Sequence, residues 1–465
     1  MTFTIDTVNP TDGSTLNTYR SWSPEQIERA VAAGHTAARA WGKTPLAERV
    51  ASIHRLAAEL RRQSPSLSKL ITTEMGKIAA EAAGEVEKSA VTALYYADHA
   101  ARILADEKVD IDGVDAWISY EPIGLVLAVM PWNFPVWQVM RFAIPSLSAG
   151  NGVILKHSPN VTGCALALQQ LFVDAGFPEH LVTTLVVAEP EVPGVIETLI
   201  ADDRIAAVTL TGSNRAGAAV GSAAGRASKK SVLELGGSDA FVVLDDADIS
   251  SAVDAAVKAR FNNAGQSCVC AKRFIVSEAI AEPFTEQFIK KVEALVVGHP
   301  LEKGTQMGPL ARADLRDALD AQVKRSIAAG ATLHTGGAVI DGPGYFYAPT
   351  VLGNTGPGIA AFDEETFGPL AAIAVAKDDE DAIRLANATQ FGLSISVWSS
   401  STDRALKIAQ GVTTGAAFIN AMTASDARVP FGGTKKSGYG RELATAGIRE
   451  FTNVRTYWAI HRARY

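Results

Sequence analysis

Gly124-Leu125-Val126-Leu127-Ala128-Val129-Met130-Pro131-Trp132-Asn133-Phe134-Pro135 is an unbroken apolar run stopped by a turn that two prolines bracket. Leu125–Met130 is far shorter than the roughly 20 apolar residues of a membrane helix, and suits a strand covered on both faces. Similar runs recur at Val153–Leu155, Val182–Val187, Ala206–Leu210 and Val232–Leu235, separated by stretches long enough for helices. This alternation predicts an α/β fold, a parallel sheet with helices on its faces. Another run, Ala240–Leu244, opens after Gly236-Gly237, and the rhythm resumes beyond it. A domain boundary is therefore expected near those glycines.

Upstream of Gly124 the first hundred residues read as helical. Ser23-Pro24-Glu25-Gln26 joins an N-cap, a first-turn proline and a capping-box glutamine, and an Ala- and Leu-rich pattern runs from Leu46 to Leu104. Lys108–Tyr120 and the last fourteen residues alternate apolar with polar positions, as extended arms would. The chain has no internal repeat and no low-complexity linker.

The 465 residues carry a formal net charge of -7, which argues against a nucleic-acid partner. The N-terminal MTFTIDTVNPTDG lacks the basic and apolar regions of a signal peptide. Three cysteines, Cys164, Cys268 and Cys270, are too few for a disulfide scaffold. These features point to a cytoplasmic protein with no membrane partner and no metal.

Phe261-Asn262-Asn263-Ala264-Gly265-Gln266-Ser267-Cys268 places a cysteine in a loop ahead of a strand expected at Arg273–Val276. A cysteine whose pKa is modestly depressed supplies thiolate near neutral pH and is a good nucleophile; a buried structural cysteine is the plainer alternative. Glu234, in Glu234-Leu235-Gly236-Gly237, ends an apolar strand, where ligand clefts of such sheets lie. A glutamate there can activate a thiol or a water, or simply pair with a lysine. Asn133 follows the strand ending at Met130, and its amide can donate to an oxyanion.

With these three segments the sequence resembles the aldehyde dehydrogenase superfamily, and the match extends across nearly the whole chain. Leu210-Thr211-Gly212-Ser213 with Gly217, Glu364-Glu365-Thr366-Phe367-Gly368-Pro369, and Pro430-Phe431-Gly432-Gly433-Thr434-Lys435-Lys436-Ser437-Gly438 match further signatures of that family in the right order. The resemblance implies a Rossmann-type cofactor domain, an α/β catalytic domain and a β oligomerisation arm. The boundaries it suggests are 1–106 with 123–234, 235–445, and 107–122 with 446–465, assembled as a homodimer or homotetramer. It implies that the Cys268 thiolate attacks an aldehyde and that Asn133 and the Cys268 N–H hold the oxyanion. Glu234 would then activate the water that hydrolyses the thioester. Relatives that transfer the acyl group to coenzyme A generally lack that glutamate, so a free acid is the expected product.

For the cofactor, the resemblance assigns Lys156 to the adenosine ribose, Glu365 to the nicotinamide ribose and Phe367 to the nicotinamide's side. Trp132, Gly212, Ser213, Gly217 and Leu235 complete the expected cofactor site. Gly212 would permit a tight strand-to-helix turn, and the helix start would attract a phosphate. Members that prefer NAD often carry a glutamate three residues after the lysine, where this chain has Pro159 in Lys156-His157-Ser158-Pro159. The missing acid favours NADP over NAD.

Trp132–Arg141 and Ser425–Tyr439 resemble the succinate-semialdehyde dehydrogenases within the superfamily. That resemblance implies Arg141 as the reader of the substrate's distal carboxylate, with Ser425, Trp137 and Phe431 around it. Some of these enzymes carry a second arginine where this chain has Asn262, and Ser425 and Arg428 are possible replacements. An enzyme for uncharged aldehydes, with Arg141 structural, and a non-catalytic relative are the alternatives. Cys268-Val269-Cys270, read as an extended segment, brings two thiols close to disulfide range and suggests a redox switch.

Overall fold

The Leu125–Met130 run lies inside a six-stranded sheet of the computed structural model, which describes residues 3–460. The strand order is Gly438–Tyr439, Lys230–Glu234, Ile205–Thr211, Leu125–Met130, Gly152–His157 and Val182–Thr184. The last five are parallel to one another, and Gly438–Tyr439 runs antiparallel to Lys230–Glu234. Leu125 to Ala128 are fully buried, which is why the run shows no polar alternation. The Val182–Val187 run forms a strand only as far as Thr184, although Leu185 N–H still donates to Leu155 O at 2.8 Å.

A second sheet holds seven strands in the order Thr332–Thr335, Thr350–Gly353, Leu370–Ala376, Ala271–Ser277, Asp239–Val243, Ser394–Trp398 and Ala416–Ile419. All of its pairs are parallel except the first. A third, antiparallel sheet joins Glu107–Ile111, Val114–Pro122 and Thr452–Ala459.

Two sequence expectations need correction. The first twenty residues are not helical: Thr4–Val8 and Thr15–Arg20 form a hairpin, with Gly13 at φ 76° in the turn. Three helices follow, Pro24–Trp41, Leu46–Met75 and Ala79–Ile103. The C-terminal arm begins as a helix, Ala444–Glu450, packed against Trp137–Ser148, and turns into strand only at Thr452. Residues 461–465 of that arm lie outside the described residues. The helix after the Asn133 turn, Trp137–Ser148, starts where buried Glu85 accepts from the Val136 and Trp137 N–H groups at 2.8 and 2.9 Å. A carboxylate at that position satisfies orphan donors and suits the positive end of the helix.

Candidate active site

The turn after Met130 is braced from three sides. Asn133 O accepts from Lys77 Nζ and from Asn263 Nδ2, both at 2.9 Å. Lys77 also pairs with Glu85, the acid that caps the following helix. His157 donates from Nε2 to Pro135 O at 2.9 Å while its Nδ1 accepts from Ser158 N–H at 2.8 Å, so the ring is the neutral tautomer. Burial holds His157 down to about 4.

The cysteine loop is held as firmly. Asn263, Ala264 and Gly265 all lie in the left-handed region, at φ 53°, 51° and 72°. A Cβ on Gly265 would stand 2.3 Å from Gly368 O, so glycine is required there twice over. The carbonyls of Gln266, Ser267 and Cys268 all turn inward. Gln266 O accepts from Asn133 Nδ2 (3.0 Å), while Ser267 O and Cys268 O accept from Lys272 Nζ (3.0 and 2.9 Å). One hydrogen of the Asn133 amide is thus engaged, and the second remains for another acceptor.

Cys268 is partly exposed, whereas Cys270 and Cys164 are buried. The depressed thiol expected from the sequence is not what the surroundings produce. Burial pushes Cys268 up to about 12 against the pull of Lys272 and Arg141, so the resting group is a protonated thiol. Cys268 and Val269 lie in a turn, not in an extended segment, with Cys270 N–H 3.4 Å from Ser267 O.

Glu234 is buried at the end of its strand, and its Oε1 finds no hydrogen-bond partner among the described residues. Burial and the neighbouring Glu442 raise its pKa well above the ordinary carboxylate range, against Arg141 and Arg441. The turn at Gly212 hangs on the same strand, since Gly212 N–H donates to Glu234 O at 2.9 Å.

A cavity of about 860 Å³ is lined by Lys156, Ser158, Pro159 and Asn160 together with Cys268, Glu234 and Asn133. Gly212, Ser213, Leu235, Glu365, Phe367 and Trp132 line it as well. Ser213 caps the helix Asn214–Arg226, its Oγ accepting from Ala216 N–H at 3.3 Å. Glu365 Oε1 is fixed by Gly237 N–H at 3.0 Å and Lys272 Nζ at 3.3 Å. Trp132 and Phe367 meet edge to face, 5.7 Å apart.

Two glycines play other parts than expected. Gly217 does not line the cavity, and a Cβ there would press on Leu235 at 2.4 Å, so it lets the helix pack. Gly212 is not strained, since an added Cβ would meet only Leu210 at 3.7 Å. Sequence reasoning missed Glu189, which lines the cavity from a separate loop and counters the burial that lowers Lys156 to about 8.

The expected carboxylate-reading residues lie outside this cavity. Arg141 is 2% exposed and pairs through Nε with Glu442, while Nη2 reaches Thr211 Oγ1 at 3.4 Å. Its guanidinium stacks 4.7 Å over the Phe431 ring. Arg141 therefore has its counter-charge already. Arg428 is spent on Asp426, at 2.8 and 2.7 Å, and Asn262 lines a different cleft with Glu81 and Lys258. Ser425 Oγ accepts from Lys88 Nζ at 2.7 Å, and Lys88 lies 4.4 Å over the Trp137 ring. Lys88 had no local signal in the sequence.

Among the described residues no helix is long and apolar enough to cross a membrane, and no cluster could hold a metal ion. Comparison with known proteins agrees with the architecture. The chain matches the model of the aldehyde dehydrogenase family over residues 2–457. It is 47% identical over 451 residues to a succinate semialdehyde dehydrogenase [NAD(P)+] of Escherichia coli (strain K12), covering 97% of each chain. A probable succinate-semialdehyde dehydrogenase [NADP(+)] of Synechocystis is 45% identical over 98% of this chain and 99% of its own. The crystal structure of succinic semialdehyde dehydrogenase from Streptococcus pyogenes with NADP+ superposes with a TM-score of 0.95 at 35% identity, covering 98% of this chain and 100% of that one. By fold, by extent of match and by identity, the chain belongs to the aldehyde dehydrogenase family.

Proposed function

We propose that this enzyme oxidises succinate semialdehyde to succinate with a nicotinamide dinucleotide, NADP being favoured over NAD. The observation that carries the reaction is that Cys268, Glu234 and Asn133 line one cavity, which Lys156 lines as well. The relatives named for this substrate and for these cofactors support the rest.

The cavity fits a dinucleotide. Lys156 supplies a cation for the adenosine end, the capped helix start behind Ser213 offers N–H groups, and Glu365 stands fixed near the thiol. When bound, the cofactor accepts a hydride. Cys268 must first lose its proton, because burial holds the thiol up, and Glu234 is the carboxylate of the cavity suited to take it. The thiolate attacks the aldehyde carbon, and the second Asn133 Nδ2–H and the Cys268 N–H stabilise the alkoxide. After oxidation the acyl group is a thioester on Cys268. Glu234, once it has passed the proton taken from Cys268 to solvent, deprotonates water for hydrolysis, which returns the thiol and releases the acid.

We assign residues 1–106 and 123–234 to dinucleotide binding, 235–445 to catalysis, and 107–122 with 446–465 to an arm joining subunits of a homodimer or homotetramer. The low cysteine count suits work in the cytoplasm. Cys270 would capture an oxidised Cys268 as a disulfide. Peroxide followed by dithiothreitol should restore wild type and not Cys270→Ala; equal recovery would refute it.

The pairing of Arg141 with Glu442 supports a second reading, in which uncharged aldehydes are the substrates. Initial rates with succinate semialdehyde and butanal, each with NAD and NADP, decide between the two. The favoured reading requires a clear preference for the acidic aldehyde.

A further inference from the structure

Three charged residues spaced four apart, Lys77, Glu81 and Glu85, lie where the Ala79–Ile103 helix begins. That spacing puts them on one face. Each holds a backbone group of the turns that carry Asn133 and Cys268. Lys77 donates to Asn133 O, Glu85 accepts from the Val136 and Trp137 N–H groups, and Glu81 Oε2 accepts from Asn263 N–H at 3.0 Å. Lys77 and Glu85 are buried and paired with each other, whereas Glu81 forms no ion pair among the described residues. Glu81 is partly exposed and lines a cleft of about 480 Å³ with Lys258, Asp254 and Lys291, the last two being an ion pair.

What Glu81 holds is the start of a left-handed stretch, Asn263 at φ 53° and Ala264 at φ 51°. Residues other than glycine adopt that conformation only where their surroundings impose it. From Asn263 the bonds run directly into the site. Its Nδ2 donates to Asn133 O at 2.9 Å and to Gln266 O at 3.1 Å, and Gln266 O also accepts from Asn133 Nδ2 at 3.0 Å. A shift of Asn263 would therefore disturb the oxyanion amide and the loop of Cys268 together. An ionised carboxylate holds an N–H about twice as strongly as a neutral acceptor does. Burial raises the Glu81 carboxyl to about 7; Glu85 adds to the rise, while Lys77 and the Asn263 N–H oppose it.

We propose that Glu81 is a positioning residue for the oxidation: its carboxylate, by holding the Asn263 N–H, fixes the turn that presents Cys268 and aims the Asn133 amide. Glu81 does not line the cavity of Cys268 and acts through Asn263. This rests on the roles given above to Cys268 and Asn133.

Glu81→Gln is isosteric and still offers an acceptor, but an uncharged one. The single-turnover rate of cofactor reduction should fall about three- to tenfold at pH above 7, alike for succinate semialdehyde and butanal, with KM little changed. The ratio of wild-type to variant rates should shrink towards one as pH falls through about 7, because the wild-type carboxyl then takes up its proton. Glu234 titrates in both proteins, and the ratio removes its contribution. Glu81→Leu, which has no acceptor, should lose about ten- to a hundredfold at every pH; should it fail to fold, the glutamine variant still decides. In cofactor-free protein, hydrogen exchange of the peptide 261–268 should quicken in Glu81→Gln, and that of the Leu125–Met130 strand should not. A rate ratio flat in pH, or unchanged exchange in that peptide, would overturn the role of Glu81. A wild type that oxidises neither aldehyde would overturn the proposed function instead, and the exchange measurement would then judge Glu81 by itself.

Discussion

Lys156 lines the cavity and Lys88 lies outside it over Trp137, yet burial holds both ammoniums down to about 8. Their company differs. Lys156 shares its cavity with the Glu189 carboxylate, whereas Lys88 has only a hydroxyl and an indole within contact. The same kind of cation therefore meets a competing acid in one place and none at contact distance in the other. On the cofactor reading proposed above, a 2′-phosphate would gain Lys156 and be opposed by Glu189. Lys77 marks the opposite extreme, fully buried against Glu85 and available to no ligand.

The largest effect comes from removing the thiol of that cavity. Cys268→Ala should lower oxidation of every aldehyde by about 10⁴-fold or more, with either cofactor. Dinucleotide binding, followed by fluorescence titration, should survive, because Lys156 and the Ser213 cap are untouched. Oxidation persisting in this variant would mean that the thiol is not the nucleophile.

Arg141→Leu sharpens the contrast between a spent cation and a free one. It leaves Glu442 buried without a partner beside Glu234, which should cost about 3–5 kcal/mol of stability. Denaturant unfolding measures that loss, and Arg141→Leu with Glu442→Leu should regain most of it. Any kinetic damage should fall alike on charged and uncharged aldehydes. A loss confined to succinate semialdehyde would return the carboxylate-reading role to Arg141.

Glu189→Gln should shift the ratio of kcat/KM values towards NADP by about two- to fivefold, the scale of a solvent-exposed charge. Pro159→Glu should move the ratio the other way, by adding a second acid beside Lys156. An unchanged ratio in both variants would place the discrimination outside this end of the cavity.

The smallest effect concerns the brace behind the Asn133 turn. His157 is neutral when folded and titrates at about 4, below its ordinary value of 6.5. The unfolded chain binds its proton more readily, so the stability His157 contributes is present above 6.5 and drains as pH falls towards 4. A His157→Asn variant should show a shallower fall in thermal midpoint across that window. Identical slopes in the two proteins would assign the acid sensitivity to other groups.

Much of this architecture was legible because strands buried on both faces read as unbroken apolar runs, and Leu125–Met130 is such a strand. The N-terminal hairpin was not, since its short strands are half exposed and adjoin a strong helical signal. The thiol loop could be found from its residue types, but not its ionisation, which depends on how deeply the fold buries Cys268. Arg141 looked free because its partner Glu442 lies on the far side of the chain's second half. Glu189 shares that difficulty: no local pattern marks an acid that only tertiary packing brings to the cavity. Gly217 shows the converse, a position correctly singled out for a reason that the packing of Leu235 replaces.

The short strand Gly438–Tyr439 closes the edge of the first sheet against Glu234, although some two hundred residues separate them. A ribosome that has already released the cysteine loop must still translate most of another domain before that edge is sealed. At roughly 5–20 residues per second the interval is on the order of nine to thirty-four seconds. Through that time the nascent chain carries Cys268 without the finished surroundings of Glu234 and Glu442. A chain terminated before Gly438 would lack the strand that pairs with Glu234.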